Sequence, residues 1–476
     1  MAEKKIRIDP VTRIEGHAEV LIQLNEDDTV REALFKVIEF RGFEKFTEGR
    51  PFYEMPGITS RACGICPVAH LLASAKACDQ IAGTSPPKTA VMLRRLMNMG
   101  QIIQSHALNF YHLSGPDLLM GFDSDPAKRN IFGLIDAKPE LAMRGIRLRK
   151  FGQEIIEIVA GKKIHPSEWM RPGGAKWPLT QERADYLLSF LPEALDATTK
   201  TLDMWKQMLD GLQEEVEHFG NFPTYYMGLV EPDGGLEHYD GKIRIKDPQG
   251  SVAAECVDPA KYADFIGEAV EPWSYMKFPY FKAVGYPDGA YRVGPLPRLN
   301  VADYCGTPLA DEELKWFKKL GKNGVVQSTF HYHTARLIEI LCCIETSKQL
   351  LEDPQILSKH VTSNVQVNNF EGVGVAEAPR GTLIHHYKVD EQGMITWNNM
   401  IIATENSNIA YNMAITQVAK KYVKARELQE GMLNRVEAVI RAFDPCLSCA
   451  THAVGQMPLD IRLFDASGRL LDRKLR

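Results

Sequence analysis

The chain has 476 residues, 45% hydrophobic and 25% charged, which is enough apolar material for more than one large core in a globular protein. Its formal charge of −5 comes from 61 acidic and 56 basic residues spread along the sequence; no basic tract tracks a phosphate backbone, so nucleic acid is excluded as a partner. The opening MAEKKIRIDPVTRIEGH lacks the apolar core of a secretory leader, and no stretch reaches the ~18 uninterrupted apolar residues of a membrane span, so a cytoplasmic location without a membrane span is expected.

In chain order, residues 5 to 40 alternate apolar and polar side chains, with Asn25-Glu26-Asp27-Asp28 as a turn, and predict an N-terminal β-hairpin sheet. From Val68 to Leu113 the period becomes helical, interrupted by Gly83-Thr84-Ser85-Pro86-Pro87. Further helical patterns cover 139 to 160, 181 to 218, 309 to 322, 331 to 352 and 408 to 442. Alternating runs return at 242 to 257, at 381 to 404, and in DIRLFDASGRLLD near the end, two of them with Asp/Gly turn chemistry. The expected fold class is multidomain α+β and helix-rich, with small antiparallel β-sheets attached. The expected division is 1–60 (sheet), 61–230 (helical core), 231–300 (small β-containing insertion), 301–452 (helices and strands) and 453–476 (C-terminal extension).

Nine cysteines in so long a chain do not form a disulfide framework, and in a reducing compartment C-x-x-C pairs point to metal or redox chemistry. One pair, Cys63 and Cys66, stands just before a helix, whose N-terminal N–H groups favour thiolate over thiol. The other, Cys446 and Cys449, lies in DPCLSCATHAVGQMPLD. Together they offer four soft donors suited to zinc, nickel or an iron-sulfur cluster. A structural zinc ribbon places its second pair ~15 to 20 residues after the first, whereas 380 positions separate Cys66 from Cys446 here. Cys78, Cys256, Cys305, Cys342 and Cys343 are expected as small buried hydrophobes.

Both pairs, as R-x-C-G-x-C-x-x-x-H and D-P-C-x-x-C-x-x-H, resemble the motifs of nickel-iron hydrogenase large subunits, and DPVTRIEGH (9–17), FRGFE (40–44) and EAPRGTL (377–383) extend the resemblance along the chain. RGFEKF, WSYMKFPY and RVGPL look most like the bidirectional, NAD-linked cytoplasmic group. The resemblance implies a central helical bundle with small antiparallel sheets. It also implies reversible heterolysis of dihydrogen at a nickel ion and an iron carrying carbon monoxide and cyanide. In that picture Cys63 and Cys446 are terminal nickel ligands, and Cys66 and Cys449 bridge the two metals. The Cys446 sulfur would act as base and relay to Glu15. Arg380 and Thr404 would face the cyanides, with Pro379 in the apolar wall around carbon monoxide. Glu44, His452 and the Met400 carbonyl would hold magnesium.

The family pattern is not followed everywhere: Ser105 precedes His106 where an acidic residue is common, Ala403 replaces a proline, and Asp444 is available to pair with Arg380. Beyond these two pairs the sequence has neither a further cysteine cluster to hold an iron-sulfur centre nor a glycine-rich dinucleotide turn, so no iron-sulfur cluster, flavin or NAD is expected in this chain. The implied partners are a small hydrogenase subunit with an iron-sulfur cluster, diaphorase subunits with flavin and iron-sulfur clusters, nickel chaperones, and a maturation endopeptidase that removes Ala453–Arg476. An attached tail is expected to keep the C-terminal cysteine pair outside the core. The competing expectations are coupling to NADP or a deazaflavin, a hydrogen-sensing regulator, and a structural zinc protein.

Overall fold

The computed structural model describes residues 4–453 and 460–475. The N-terminal alternation becomes a three-stranded antiparallel sheet of β1 (Lys5–Ile8), β2 (Ala18–Leu24) and β3 (Val30–Val37), in that order. Ala18, Val20, Ile22, Phe35 and Val37 are buried, as a period of two with one face on the core requires.

The helical body is formed by α1 (Pro67–Ile81), α2 (Lys88–Ala107), α3 (Pro139–Ala160), α4 (Leu191–Leu209) and α5 (Tyr332–Glu352). Gly100 on α2 and Gly152 on α3 let those helices touch backbone to backbone: a Cβ at Gly100 would lie 2.8 Å from the Gly152 carbonyl oxygen, and the reverse contact would be 2.5 Å. α5 packs on both α2 and α4, and α2 runs on into a wider π-type turn at Leu108–Leu113. α6 (Asn408–Tyr422) and α7 (Glu430–Phe443) pack on each other, and α6 also lies on β3. The single helical pattern expected over 408 to 442 is thus two helices, and that over 181 to 218 is three, with breaks after Leu188 and Leu209.

A second antiparallel group, β4 (Tyr225–Val230), β5 (Lys242–Lys246) and β6 (Val252–Val257), includes one strand that the alternation did not predict. All of β4 except Tyr225 is buried, so no solvent face imposes a period of two. The third sheet is β7 (Glu371–Ala378), β8 (Gly381–Val389) and β9 (Ile395–Ile401). β7 also escaped prediction, because glycine occupies alternate positions. A Cβ at Gly374 would lie 1.8 Å from the Ala73 carbonyl oxygen, and one at Gly372 would lie 2.2 Å from that of Ala77. The α1 backbone takes the room that side chains fill on an ordinary strand.

Helix-rich α+β architecture with small antiparallel sheets is what the sequence implied. Among the described residues no helix is long and apolar enough to cross a membrane. Cys78, Cys305, Cys342 and Cys343 are buried as expected, but Cys256 is exposed at a positive φ of 50° on β6. In the expected extension, β10 (Asp460–Phe464) and β11 (Leu470–Leu475) form a separate hairpin with Ile461, Leu463 and Phe464 exposed, while 454–459 and Arg476 lie outside the described residues. The tail does not hold the second cysteine pair out: Cys446 and Cys449 are buried while the chain continues past His452.

Candidate metal centre

Cys63 follows a 3-10 turn in extended conformation, and Cys66 is the residue before Pro67, at the mouth of α1. The Ile65 and Cys66 N–H groups donate to Cys63 Sγ at 3.2 and 3.3 Å, the charge-favouring geometry of a helix entrance. Cys446 follows Asp444, which ends α7 in the left-handed conformation, and Pro445; it opens the one-turn helix Leu447–Ala450 that carries Cys449. The Cys446 N–H donates to Thr404 Oγ1 at 3.0 Å.

The sulfurs meet. Cys63 and Cys446 are 3.2 Å apart, Cys446 and Cys449 3.1 Å, and Cys66 and Cys449 3.7 Å, with all four ligand atoms within 4.8 Å of one another. Sulfurs sharing one ion at ~2.3 Å lie ~3.8 Å apart at tetrahedral angles, so this is a closed donor cluster rather than a chance grouping. Burial pushes the Cys446 and Cys449 thiols up, while hydrogen bonds from Cys446, Cys449 and Cys63 hold Cys66 well below the ordinary thiol range. A buried cluster that already favours a thiolate is suited to a soft cation. Among the described residues it is the one group of three or more such side chains placed to hold a metal ion.

Beside the sulfurs is a small cavity with room for about one water-sized molecule. Cys66, Cys446 and Cys449 border it on one side, and Ala378, Leu383, Ile402 and Ala403 form an apolar wall, with Arg380 and Thr404 as the polar edge. Arg380 occupies the two-residue loop between β7 and β8, where Ala378 pairs with Gly381. Its Nε donates to the Asp444 carbonyl at 2.6 Å, Nη2 to Asp444 Oδ1 at 3.0 Å, and Nη1 to Ser105 Oγ at 3.5 Å. Burial works against its charge, but Asp444 and the thiols of Cys446, Cys66 and Cys63 outweigh it. Pro379 is buried in the same loop, with its carbonyl accepting from Arg298 at 3.3 Å; Ala378 is the loop neighbour that borders the cavity.

Glu15 arrives from the opposite end of the chain. Its backbone bridges to Cys446, its carbonyl accepts from the Leu447 N–H at 3.1 Å, and its carboxylate accepts from the Ser448 N–H at 3.1 Å. Gly16 at φ +87° permits this approach, since a Cβ there would meet Leu447 Cβ at 2.7 Å. Ser448 Oγ is 3.4 Å from Glu39 Oε2, and Glu39 Oε1 is 2.7 Å from the exposed His17 ring.

A second buried cluster holds Glu44 and His452. His452 Nδ1 lies 3.0 Å from Glu44 Oε1, and Nε2 lies 3.0 Å from Glu405 Oε2. Burial opposes an imidazolium here, yet Glu405 and Glu44 together push His452 up to about 10. Met400 takes part through its N–H, which donates to Glu44 at 2.8 Å. Sequence reasoning passed over Glu405, although it adjoins Thr404 in IIATEN, and Lys277, 3.9 Å from Glu44 within WSYMKFPY. It also gave no role to His70, whose Nε2 lies 3.3 Å from Cys449 Sγ.

The comparisons with known proteins fit this geometry. The family described as nickel-dependent hydrogenase matches residues 41–128 and 241–452, and a HoxL-like family matches 5–40. The NAD-reducing hydrogenase HoxS subunit beta of Cupriavidus necator is 43% identical, over 99% of this chain and 100% of that protein. An F420-non-reducing hydrogenase subunit from Methanothermobacter thermautotrophicus is also 43% identical, over 98% of this chain and 99% of its own. A crystal structure of an NAD+-reducing NiFe-hydrogenase in the H2-reduced state superposes with a TM-score of 0.91 at 46% identity, covering 94% of this chain and 99% of that one. The reduced Ni-Fe-Se hydrogenase from D. vulgaris Hildenborough shares the fold, with a TM-score of 0.77 at 23% identity over 95% of this chain and 100% of its own. Four converging cysteines, motifs in the same order and full-length similarity agree: the chain belongs to the nickel-dependent hydrogenase large-subunit family.

Proposed function

We propose that this chain splits dihydrogen reversibly into two protons and two electrons at a nickel–iron pair, with the electrons leaving through a small iron-sulfur subunit, then through a flavin-bearing diaphorase, to NAD. The observation that carries this reading is the closed four-sulfur cluster beside a cavity with one apolar wall and one buried cation. The metals would supply the polarisation that makes dihydrogen acidic enough to lose a proton. Cys63 and Cys446 would be terminal ligands, and Cys66 and Cys449 would bridge. The cavity borders both proposed bridging sulfurs as well as Cys446, and Cys66 and Cys449 would hold iron with its carbon monoxide and cyanide toward it.

The chain's own side chains do the rest. Arg380 places a fixed cation and guanidinium donors at the cavity edge, held by Asp444 so that no reorganisation is needed during turnover. Thr404 presents a hydroxyl at the same edge, and Ala378, Leu383 and Ile402 exclude water. Cys446 is the base that takes the proton, and Glu15, whose carboxylate is hydrogen-bonded two residues beyond its bridge to Cys446, is the next acceptor. Glu39 and His17 continue outward to solvent. Glu44, His452 and the Met400 carbonyl would hold a hard cation such as magnesium only with the His452 ring deprotonated and turned from Glu405, since a ligating imidazole must be neutral.

NAD coupling is supported by the HoxS relative and by the 0.91 superposition. Phe40, Phe46 and Tyr53 are exposed on the segment that carries Arg41 and Gly42, whose N–H groups donate to the Thr451 carbonyl beside the centre. A small subunit docked there would receive electrons over a short path. Nickel chaperones and an endopeptidase acting after His452 would load and finish the site in the cytoplasm. The decisive experiment is elemental analysis with infrared spectroscopy on the isolated complex. One nickel per copy of this chain is expected, with iron in excess of nickel because the partner subunits' clusters add to the iron of the site, together with carbon monoxide and cyanide bands; zinc without nickel or such bands would overturn the assignment.

A further inference from the structure

We infer that His385, Tyr387 and Ser74 are positioning residues that act through His70 to set the electron donation of the Cys449 sulfur. The inference rests on the reading of Cys449 as a metal-bridging thiolate. The four side chains form one unbroken buried line. His70 Nε2 lies 3.3 Å from Cys449 Sγ, His70 Nδ1 lies 3.2 Å from His385 Nε2, His385 Nδ1 lies 2.5 Å from Tyr387 Oη, and Tyr387 Oη lies 3.0 Å from Ser74 Oγ. Each is at most 1% exposed.

The alignment follows from two repeats that match. His70 and Ser74 are four apart on α1, and His385 and Tyr387 are two apart on β8. Four helical residues rise ~6.0 Å and two strand residues ~6.7 Å, so the helix row and the strand row stay in step. The glycines of β7 let α1 lie close enough to this sheet for its side chains to reach β8.

With Cys449 a thiolate and a neutral imidazole at His70, proton placement along the line has one solution. A thiolate only accepts, so His70 carries its proton on Nε2 and offers a bare Nδ1. His385 must then donate from Nε2 and accept at Nδ1, and the Tyr387 hydroxyl must be its donor. Burial holds His385 well below the ordinary histidine range and pushes Tyr387 well above the ordinary phenol range, so both remain neutral. From Tyr387 inward every dipole points at the sulfur, and successive hydrogen bonds polarise one another in a buried, low-dielectric interior. The line draws electron density from the thiolate and therefore from the metals it bridges.

The test uses the assembled enzyme and infrared spectroscopy. Tyr387→Phe keeps the ring and removes the donor. His385→Leu cuts the line, whereas the amide of His385→Gln accepts and donates at once. With nickel and iron contents equal to wild type, the carbon monoxide band is expected to move to lower wavenumber in Tyr387→Phe and further in His385→Leu, and to return toward wild type in His385→Gln. If Tyr387→Phe and His385→Leu carry full metal and an unmoved band, the inference fails alone. Loss of nickel or iron from Tyr387→Phe assigns the line to holding the site together and overturns the tuning role. If wild-type enzyme shows no carbon monoxide band, the reading of the centre falls and the inference with it.

Discussion

The two cysteine pairs share a spacing but are built in opposite ways. Cys63 and Cys66 are fixed by the fold itself: they open a 15-residue helix packed on the third sheet and buried along most of its length. Cys446 and Cys449 sit on a four-residue turn with no scaffold of its own. That turn is held from outside by Thr404, Glu15, Asp444 and Arg380, and by the Thr451 carbonyl, which accepts from Arg41 and Gly42. One half-site is part of the core and the other is docked onto it, so damage to the two should look different.

The largest effect should come from the sulfurs. Cys66→Ala is expected to abolish nickel retention and hydrogen uptake while leaving the secondary structure intact, as read by elemental analysis and circular dichroism. Arg380→Met comes next: it strands the buried Asp444 carboxylate and should cost about 3–5 kcal/mol in denaturant unfolding, loosening the docked pair first. Arg380→Lys should recover part of that loss by restoring charge without the two-pronged geometry. Glu15→Gln should keep both metals yet slow hydrogen–deuterium exchange on the order of 10²-fold; an unchanged exchange rate would remove Glu15 from the proton path. Thr404→Val removes the acceptor of the buried Cys446 N–H and should lower stability by about 1–3 kcal/mol, with the thermal transition as readout.

The smallest effect belongs to neither pair. Burial lowers His331 to about 4, so the unfolded chain binds a proton there before the folded chain does. Its contribution is complete above about pH 6.5 and is lost as pH falls toward 4, about 1 kcal/mol of it by pH 6. His331→Gln should flatten that slope in pH-dependent denaturation, giving the acid background against which any pH effect on the docked pair is measured.

Helices with a long regular period, such as 139 to 160 and 331 to 352, were legible almost to the residue. The cysteines, Glu15, Arg380 and Thr404 were legible because each lies in a recognisable motif, and the structure brings all of them to one place. Glu405, His385, Tyr387 and Ser74 were not. Alone, each reads as an ordinary strand or helix residue, and its meaning comes from a partner up to 315 positions away. β7 was illegible for a related reason, since its glycines record the closeness of α1 rather than any pattern of their own.

The β7–β8 ladder, running from Glu371 opposite Lys388 to Ala378 opposite Gly381, sets more than the shape of a sheet. It works as a ruler with Arg380 at its zero mark and His385 and Tyr387 at fixed distances along it. A ruler tolerates repainting but not shortening. Substitutions along these strands can be absorbed one at a time, whereas deleting a single residue between Thr382 and Ile384 would turn His385 and Tyr387 to the opposite face while leaving Arg380 at the tip. Length, more than identity, is what this segment has to preserve.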